Sequence, residues 1–136
     1  MKVFISHANK DAALARKIAT ILKQDGLNVW NEEDEIMPGD NWAEKTSQAL
    51  NESEAMVVLL TPEALESKNV LREIDYALSE EPYSHRLISV IVGNLEKLPE
   101  EKVPWILKRL DMITLPEEGR NEEDIKQIAE ALKAKA

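Results

Sequence analysis

The sequence predicts an α/β three-layer sandwich: a five-stranded parallel sheet in the flavodoxin-like order 2-1-3-4-5, with helices on both faces. Three observations predict it. Short apolar, β-branched runs alternate with segments of helical periodicity along the whole chain. Most of these runs are joined through segments of roughly 10 to 20 residues, which suits crossovers between parallel strands. One run, Ala55 to Thr61 (AMVVLLT), is apolar almost throughout, as a strand buried on both faces should be. The chain has 136 residues, 43% hydrophobic and 32% charged, the length and balance of one globular domain over residues 1–136.

Lys2 to Ser6 (KVFIS) reads as the first strand. Leu14, Ile18, Ile21 and Leu22 recur at helical spacing after it, with Asn9 placed to cap the helix and Gly26 at its C′ position. Leu27 to Trp30 is the second strand. The segment Asn31 to Gly39 follows as a long loop with a Pro38-Gly39 turn, and long loops between regular elements tend to have jobs. Asp40 is expected to cap a helix carrying Trp42, Ala43, Thr46, Ala49 and Leu50, after which Ala55 to Thr61 forms the central strand. Pro62 suits the first turn of the next helix, whose inner stripe is read as Leu71, Ile74 and Leu78, ending near Glu81-Pro82. Leu87 to Val92 is the fourth strand. A short helical stretch surrounds Trp105, Met112 to Leu115 is the fifth strand, and Ile125, Ile128 and Leu132 mark a terminal helix. In such a sheet ligands sit beyond the carboxyl ends of the strands near the reversal of strand order. Function is therefore expected around Ser6-His7, Trp30 to Asp40, and Thr61 onward.

Composition removes several classes of function. Seventeen Lys and Arg against 26 Asp and Glu leave a net charge of −9, which disfavours nucleic acid and anionic membranes as partners. With no Cys there is no disulfide, thiol nucleophile or Cys-based zinc site, and with two His, His7 and His85, no metal site is expected unless carboxylates build it. No apolar run approaches the ~18 residues of a membrane span and no signal-peptide core follows Met1-Lys2, so a cytoplasmic protein, or a cytoplasmic part of a longer chain, is expected. The glycines Gly26, Gly39, Gly93 and Gly119 are scattered, and none follows the first strand as a dinucleotide-binding or Walker-type turn requires. A phospho-receiver needs acidic residues after strand one, an Asp after strand three and a Lys after strand five; the chain has Ser6-His7, Thr61-Pro62 and Leu115-Pro116, which ranks that reading last. No Gly-x-Ser-x-Gly elbow supports a serine hydrolase.

Val3-Phe4-Ile5-Ser6-His7, Gly26-Leu27-Asn28-Val29-Trp30, Met37-Pro38-Gly39-Asp40 with Asn41-Trp42, and Leu59-Leu60-Thr61-Pro62 with Ser67 to Ile74 stand in an order and spacing that resembles a TIR (Toll/interleukin-1 receptor) domain of bacterial type. The likeness runs from Lys2 to about Leu115. It implies one of two functions: cleavage of NAD, taken as substrate with no prosthetic group, between nicotinamide and ribose to give a linear or cyclic ADP-ribose, or a non-catalytic interaction module in signalling or immune defence. The family pattern of a Ser, a Trp two residues on and a Glu four residues later falls on Ser67, Asn69 and Glu73, so the resemblance implies Glu73 as the catalytic carboxylate and departs from the pattern at Asn69. It further implies a homo-oligomer through the loop Asn31 to Asp40.

One carboxylate suffices for such a reaction. The nicotinamide nitrogen is already cationic and leaves neutral, so no general acid is needed, and what remains is to hold the ribose and stabilise an oxocarbenium-like transition state. Counting about 100° per residue places Glu73 more than about 100° from the centre of the Leu71, Ile74, Leu78 stripe, on its flank and outside the core. His7 is expected to contact the substrate from its loop or to remain a loop residue. Ser6 is expected to receive phosphate or to cap the first helix. Trp30 is expected to stack on nicotinamide or to pack in the core, and Asn69 to line the substrate site. Glu32 to Glu35 would repel a pyrophosphate if turned inward, so they are read as facing solvent or a neighbour. Trp42 and Trp105 are read as anchors of their helices, and His85 as a surface residue.

Overall fold

The computed structural model describes residues 2–80, 83, 86–94, 96, 98–116 and 122–135. Five strands, β1 (Lys2–Ser6), β2 (Asn28–Trp30), β3 (Ala55–Leu60), β4 (Leu87–Val92) and β5 (Asp111–Leu115), form one sheet in the order β2-β1-β3-β4-β5 with every pairing parallel. The predicted architecture and strand order are those observed.

The two-residue period of a strand divides the core. Val3, Ile5, Ala55, Val57, Leu59, Ile88 and Val90 point to one face, where α1 (Ala12–Gln24) and the terminal helix α6 (Glu122–Ala134) cover them. Phe4, Met56, Val58, Leu60, Leu87 and Ile91 point to the other face, under α3 (Trp42–Glu52), α4 (Pro62–Leu65) and α5 (Lys68–Ser79). All six residues of β3 are buried, as its unbroken apolar run requires. The same alternation turns Ser6, two residues beyond Phe4, toward the α5 side.

Local chemistry moves several predicted boundaries. Gly26 is the expected C′ residue at φ 91°: Leu27 N–H donates to Leu22 C=O and Gly26 N–H to Lys23 C=O, the double closure of a Schellman motif. Asn9 does not cap α1, because a 3₁₀ turn, Asn9–Asp11, precedes the helix. The cap of α3 is Asn41, one residue beyond Asp40, and its side chain accepts from Glu44 N–H at 3.1 Å. The expected loop after β2 opens with a short helix, α2 (Glu32–Glu35). The single helix expected from Pro62 is two, because Thr61 caps α4 and Ser67, whose Oγ accepts from Val70 N–H, starts a new helix two residues after α4 ends. The stretch around Trp105 is a 3₁₀ helix, Trp105–Arg109, and Trp105 does not anchor it in the core, since 69% of it is exposed. His85 and Gly119 lie outside the described residues.

The inner stripe of α5 differs most from expectation. Val70, Glu73, Ile74 and Ala77 are buried, at the i, i+3, i+4, i+7 spacing of one helical face, while Leu71 and Leu78 are half-buried. The stripe is rotated so that a carboxylate lies on it.

Candidate functional site

Glu73 is 7% exposed and accepts a 2.6 Å hydrogen bond from Ser6 Oγ. β1 and α5 therefore meet through a hydroxyl and a carboxylate at the end of the sheet where ligands bind in open α/β folds. This corrects two expectations: Glu73 is inside the molecule and not on its flank, and the Ser6 hydroxyl serves Glu73 and does not cap the first helix. Burial pushes the Glu73 carboxyl up to about 7; the Ser6 hydrogen bond pulls it down, and the nearby Glu32 carboxylate raises it further. Removing the donor, as in Ser6→Ala, is expected to move the Glu73 titration still higher, which carbon NMR of the Glu side-chain carboxyls across a pH series would record; an unchanged midpoint would contradict that account.

In front of Glu73 lies a cleft of about 230 Å³ walled by His7, Asn9, Glu32, Trp42, Ser67 and Asn69. His7 is buried beside the end of β1, and Asn69 stands one turn before Glu73 on α5. Trp42 Nε1 donates to Glu32 Oε1 at 2.5 Å, tying the start of α3 to the helix after β2. Glu32 thus faces the cleft, contrary to the outward placement read from the sequence, and Trp42 is a cleft wall. Trp30 lies elsewhere. It is buried, with its ring stacked on Phe4 at 5.0 Å and 12°, and it is not among the described walls of this cleft, so packing is its role. Of the five residues predicted for the site, Ser6, His7, Asn69 and Glu73 come together and Trp30 does not.

Two contributors escaped the sequence reading. Trp42 sits at a helix start, where an aromatic side chain reads as an anchor. Glu32 belongs to an acidic run whose charge argued for solvent. The available signal was the capping of α3 by Asn41, which fixes where Trp42 enters the helix. Among the described residues no group of three His, Cys, Asp or Glu side chains is placed to hold a metal, and no helix is long and apolar enough to cross a membrane.

A parallel 2-1-3-4-5 sheet with helices on both faces defines a flavodoxin-like α/β domain, here with a buried carboxylate at a polar cleft beyond its strand ends. The family model for the TIR domain matches residues 3–132, and the chain belongs to that family. It is 30% identical over 96 residues, 70% of this chain, to the 2' cyclic ADP-D-ribose synthase AbTIR of Acinetobacter baumannii. It is 27% identical over 95 residues, 69% of this chain, to the 2' cyclic ADP-D-ribose synthase BtTIR of Bacteroides thetaiotaomicron. The chain spans about a third of the length of these curated relatives, 36% and 33%. Among solved structures, a metazoan TIR-STING receptor from C. gigas superposes with a TM-score of 0.73 at 24% identity, covering 93% of this chain and 38% of that one, a likeness of fold.

Proposed function

We propose that the chain is an NAD-consuming TIR domain that breaks the bond between nicotinamide and ribose, with Glu73 as its catalytic carboxylate. The observation that carries this reading is a buried carboxylate held by Ser6 at the floor of a polar cleft. The names of the relatives, which make a cyclic ADP-ribose, support the substrate class.

The chemistry follows from the charges. As the C1–N bond of the ribose lengthens, its electron pair passes to the pyridinium nitrogen and nicotinamide leaves neutral. The positive charge left on the sugar is shared between C1 and the ring oxygen, and the Glu73 carboxylate stabilises it at close range in a water-poor cleft. A new C1–O bond then forms to water, giving linear ADP-ribose, or to a hydroxyl of the same ADP-ribose, giving a cyclic product. The proton of that oxygen passes to Glu73, whose pKa of about 7 suits it to receive one near neutrality. His7 and Asn69 line the approach to the ribose. With Asn69 in place of the family's Trp, the indole of Trp42 supplies the aromatic wall. The test is nicotinamide release from NAD by concentrated or artificially clustered protein; its absence under clustering would leave the rival reading, a non-catalytic TIR interaction module of cytoplasmic signalling or immune defence.

The loop Asn31 to Asp40 supports activation by self-assembly. Asp40 N–H donates to Met37 C=O at 3.0 Å, Asp40 Oδ2 accepts from Met37 N–H at 2.8 Å, and Gly39 takes φ 93°, so the Met37-Pro38-Gly39-Asp40 turn is closed twice. It presents Met37 at 62% exposure from an acidic segment. The other exposed large hydrophobic among the described residues is Trp105, on the turn that carries Lys108 and Arg109. An apolar tip with acidic flanks on one copy fits an aromatic with basic flanks on the next. Met37→Glu is expected to weaken self-association about tenfold by light scattering and to lower nicotinamide release from dilute protein, with activity restored by artificial clustering. Wild-type association in this variant would remove the loop tip from the contact.

A further inference from the structure

A second, larger cavity of about 730 Å³ opens between α3 and α5 and shares Trp42, Asn69 and Glu73 with the cleft. A ligand whose reacting centre lies at Glu73 can continue into it. Its chemistry differs from that of the cleft. Arg72, adjacent to Glu73, is exposed and has no carboxylate within ion-pair distance among the described residues, in a chain of net charge −9. An Arg left unpaired amid an excess of acids is a ready partner for a phosphate, which its planar fork binds bidentately. The Thr46 hydroxyl is buried in the same wall with no hydrogen-bond partner. Gln48 and Asn51 offer neutral amides, and Glu44 is a second acid in the lining besides Glu73. One turn beyond Arg72, Tyr76 presents an aromatic ring held edge-on against Tyr83 at 5.8 Å and 74°; Tyr83 is itself fixed by donating its hydroxyl to Leu50 C=O at 2.5 Å. A cation, an unpaired hydroxyl and a braced aromatic ring in one hollow match a nucleoside phosphate.

We infer that the cavity between α3 and α5 seats the nucleoside-phosphate half of the substrate, with Arg72 on the phosphates and Tyr76 beside the base. The inference rests on the NAD-cleaving reading and adds to it the residues that recognise the half of the dinucleotide remote from the broken bond. Arg72 is then a specificity residue that acts on binding and leaves the bond-breaking step to Glu73.

The experiment has a binding arm and a turnover arm. In the binding arm ADP is titrated calorimetrically into Glu73→Gln protein, alone and combined with Arg72→Gln, Arg72→Lys or Lys10→Gln, the last altering the exposed Lys of the loop after β1. Arg72→Gln is expected to weaken ADP binding about tenfold, Arg72→Lys to restore part of it, and Lys10→Gln to leave it unchanged. In the turnover arm, in an otherwise wild-type background, Arg72→Gln is expected to raise KM for NAD about tenfold with kcat within about threefold. Hydrolysis of nicotinamide riboside, which lacks both phosphates and the adenosine, is expected not to respond. ADP binding that ignores Arg72, or falls only with Lys10→Gln, overturns the inference. So does an equal loss with nicotinamide riboside. ADP binding is read without turnover, so protein that binds ADP through Arg72 and releases no nicotinamide would sink the enzymatic reading and not this site. Release with an Arg72-insensitive KM would do the reverse.

Discussion

Glu73→Gln is expected to lower nicotinamide release by about 10³-fold or more while making the folded protein more stable above neutral pH. The loss of rate is what removal of a charge aimed at a developing cation costs in a desolvated site, where a neutral amide of the same shape still accepts from Ser6 but no longer carries the charge. The gain in stability comes from the same carboxylate. Its pKa is about 7 in the fold against 4.5 as the ordinary value, so between those values the folded state holds a proton that the unfolded chain has released. Stability from this group is fully present below pH 4.5 and is lost as the pH rises through 7, a penalty on the order of 3 kcal/mol for a shift of this size at a buried group. Gln carries no such penalty. Urea unfolding of the two proteins should therefore agree near pH 4 and separate by pH 8.5, with the variant the more stable. The wild-type rate should climb through an acidic limb near pH 7, as the carboxylate ionises. A variant that is both inactive and less stable at pH 8.5 would mean that Glu73 is a packing residue whose loss disrupts the cleft.

The sequence made the sheet legible because each strand is a short β-branched run and the connections are too long for hairpins; β1 and β4 fall at their expected bounds. The site was half legible. Ser6, His7 and Asn69 lie at the end of β1 and the start of α5, elements whose order was clear, and Glu73 follows one turn into α5. The orientation of Glu73 was not, because Leu71 and Leu78 are larger than Val70 and Ala77 and drew the helical stripe toward themselves. Helix packing followed the fit against β1 and β3 and put the small residues inward. Trp105 misled for a related reason: an indole reads as buried by default, yet here it projects from a 3₁₀ turn beside the Arg109 guanidinium, 6.0 Å from its ring centre. Glu32 was misplaced because charge repulsion was weighed without its partner. The indole N–H of Trp42 accounts for one of its oxygens, an arrangement between residues ten apart that no periodicity reports.

Trp42→Ala is expected to cost about 100-fold in kcat/KM with little loss of stability, because the half-buried indole lines both cavities and its removal merges them. A base stacked on an aromatic ring contributes about 1–3 kcal/mol, the range from which that factor comes. The indole also restrains Glu32, and Trp42→Phe separates the two roles by keeping a ring and deleting the N–H donor. If the ring carries the effect, Trp42→Phe retains most of the rate; if the restraint does, Phe falls as far as Ala. Glu32→Gln isolates the electrostatic part. The Glu32 carboxylate helps raise the Glu73 pKa, so neutralising it should move the acidic limb of the rate below its wild-type position near pH 7. A limb that stays put in Glu32→Gln would show that desolvation alone sets the titration of Glu73. Wild-type kinetics in Trp42→Ala would place the reacting dinucleotide away from this wall, and with it the route from the cleft into the larger cavity.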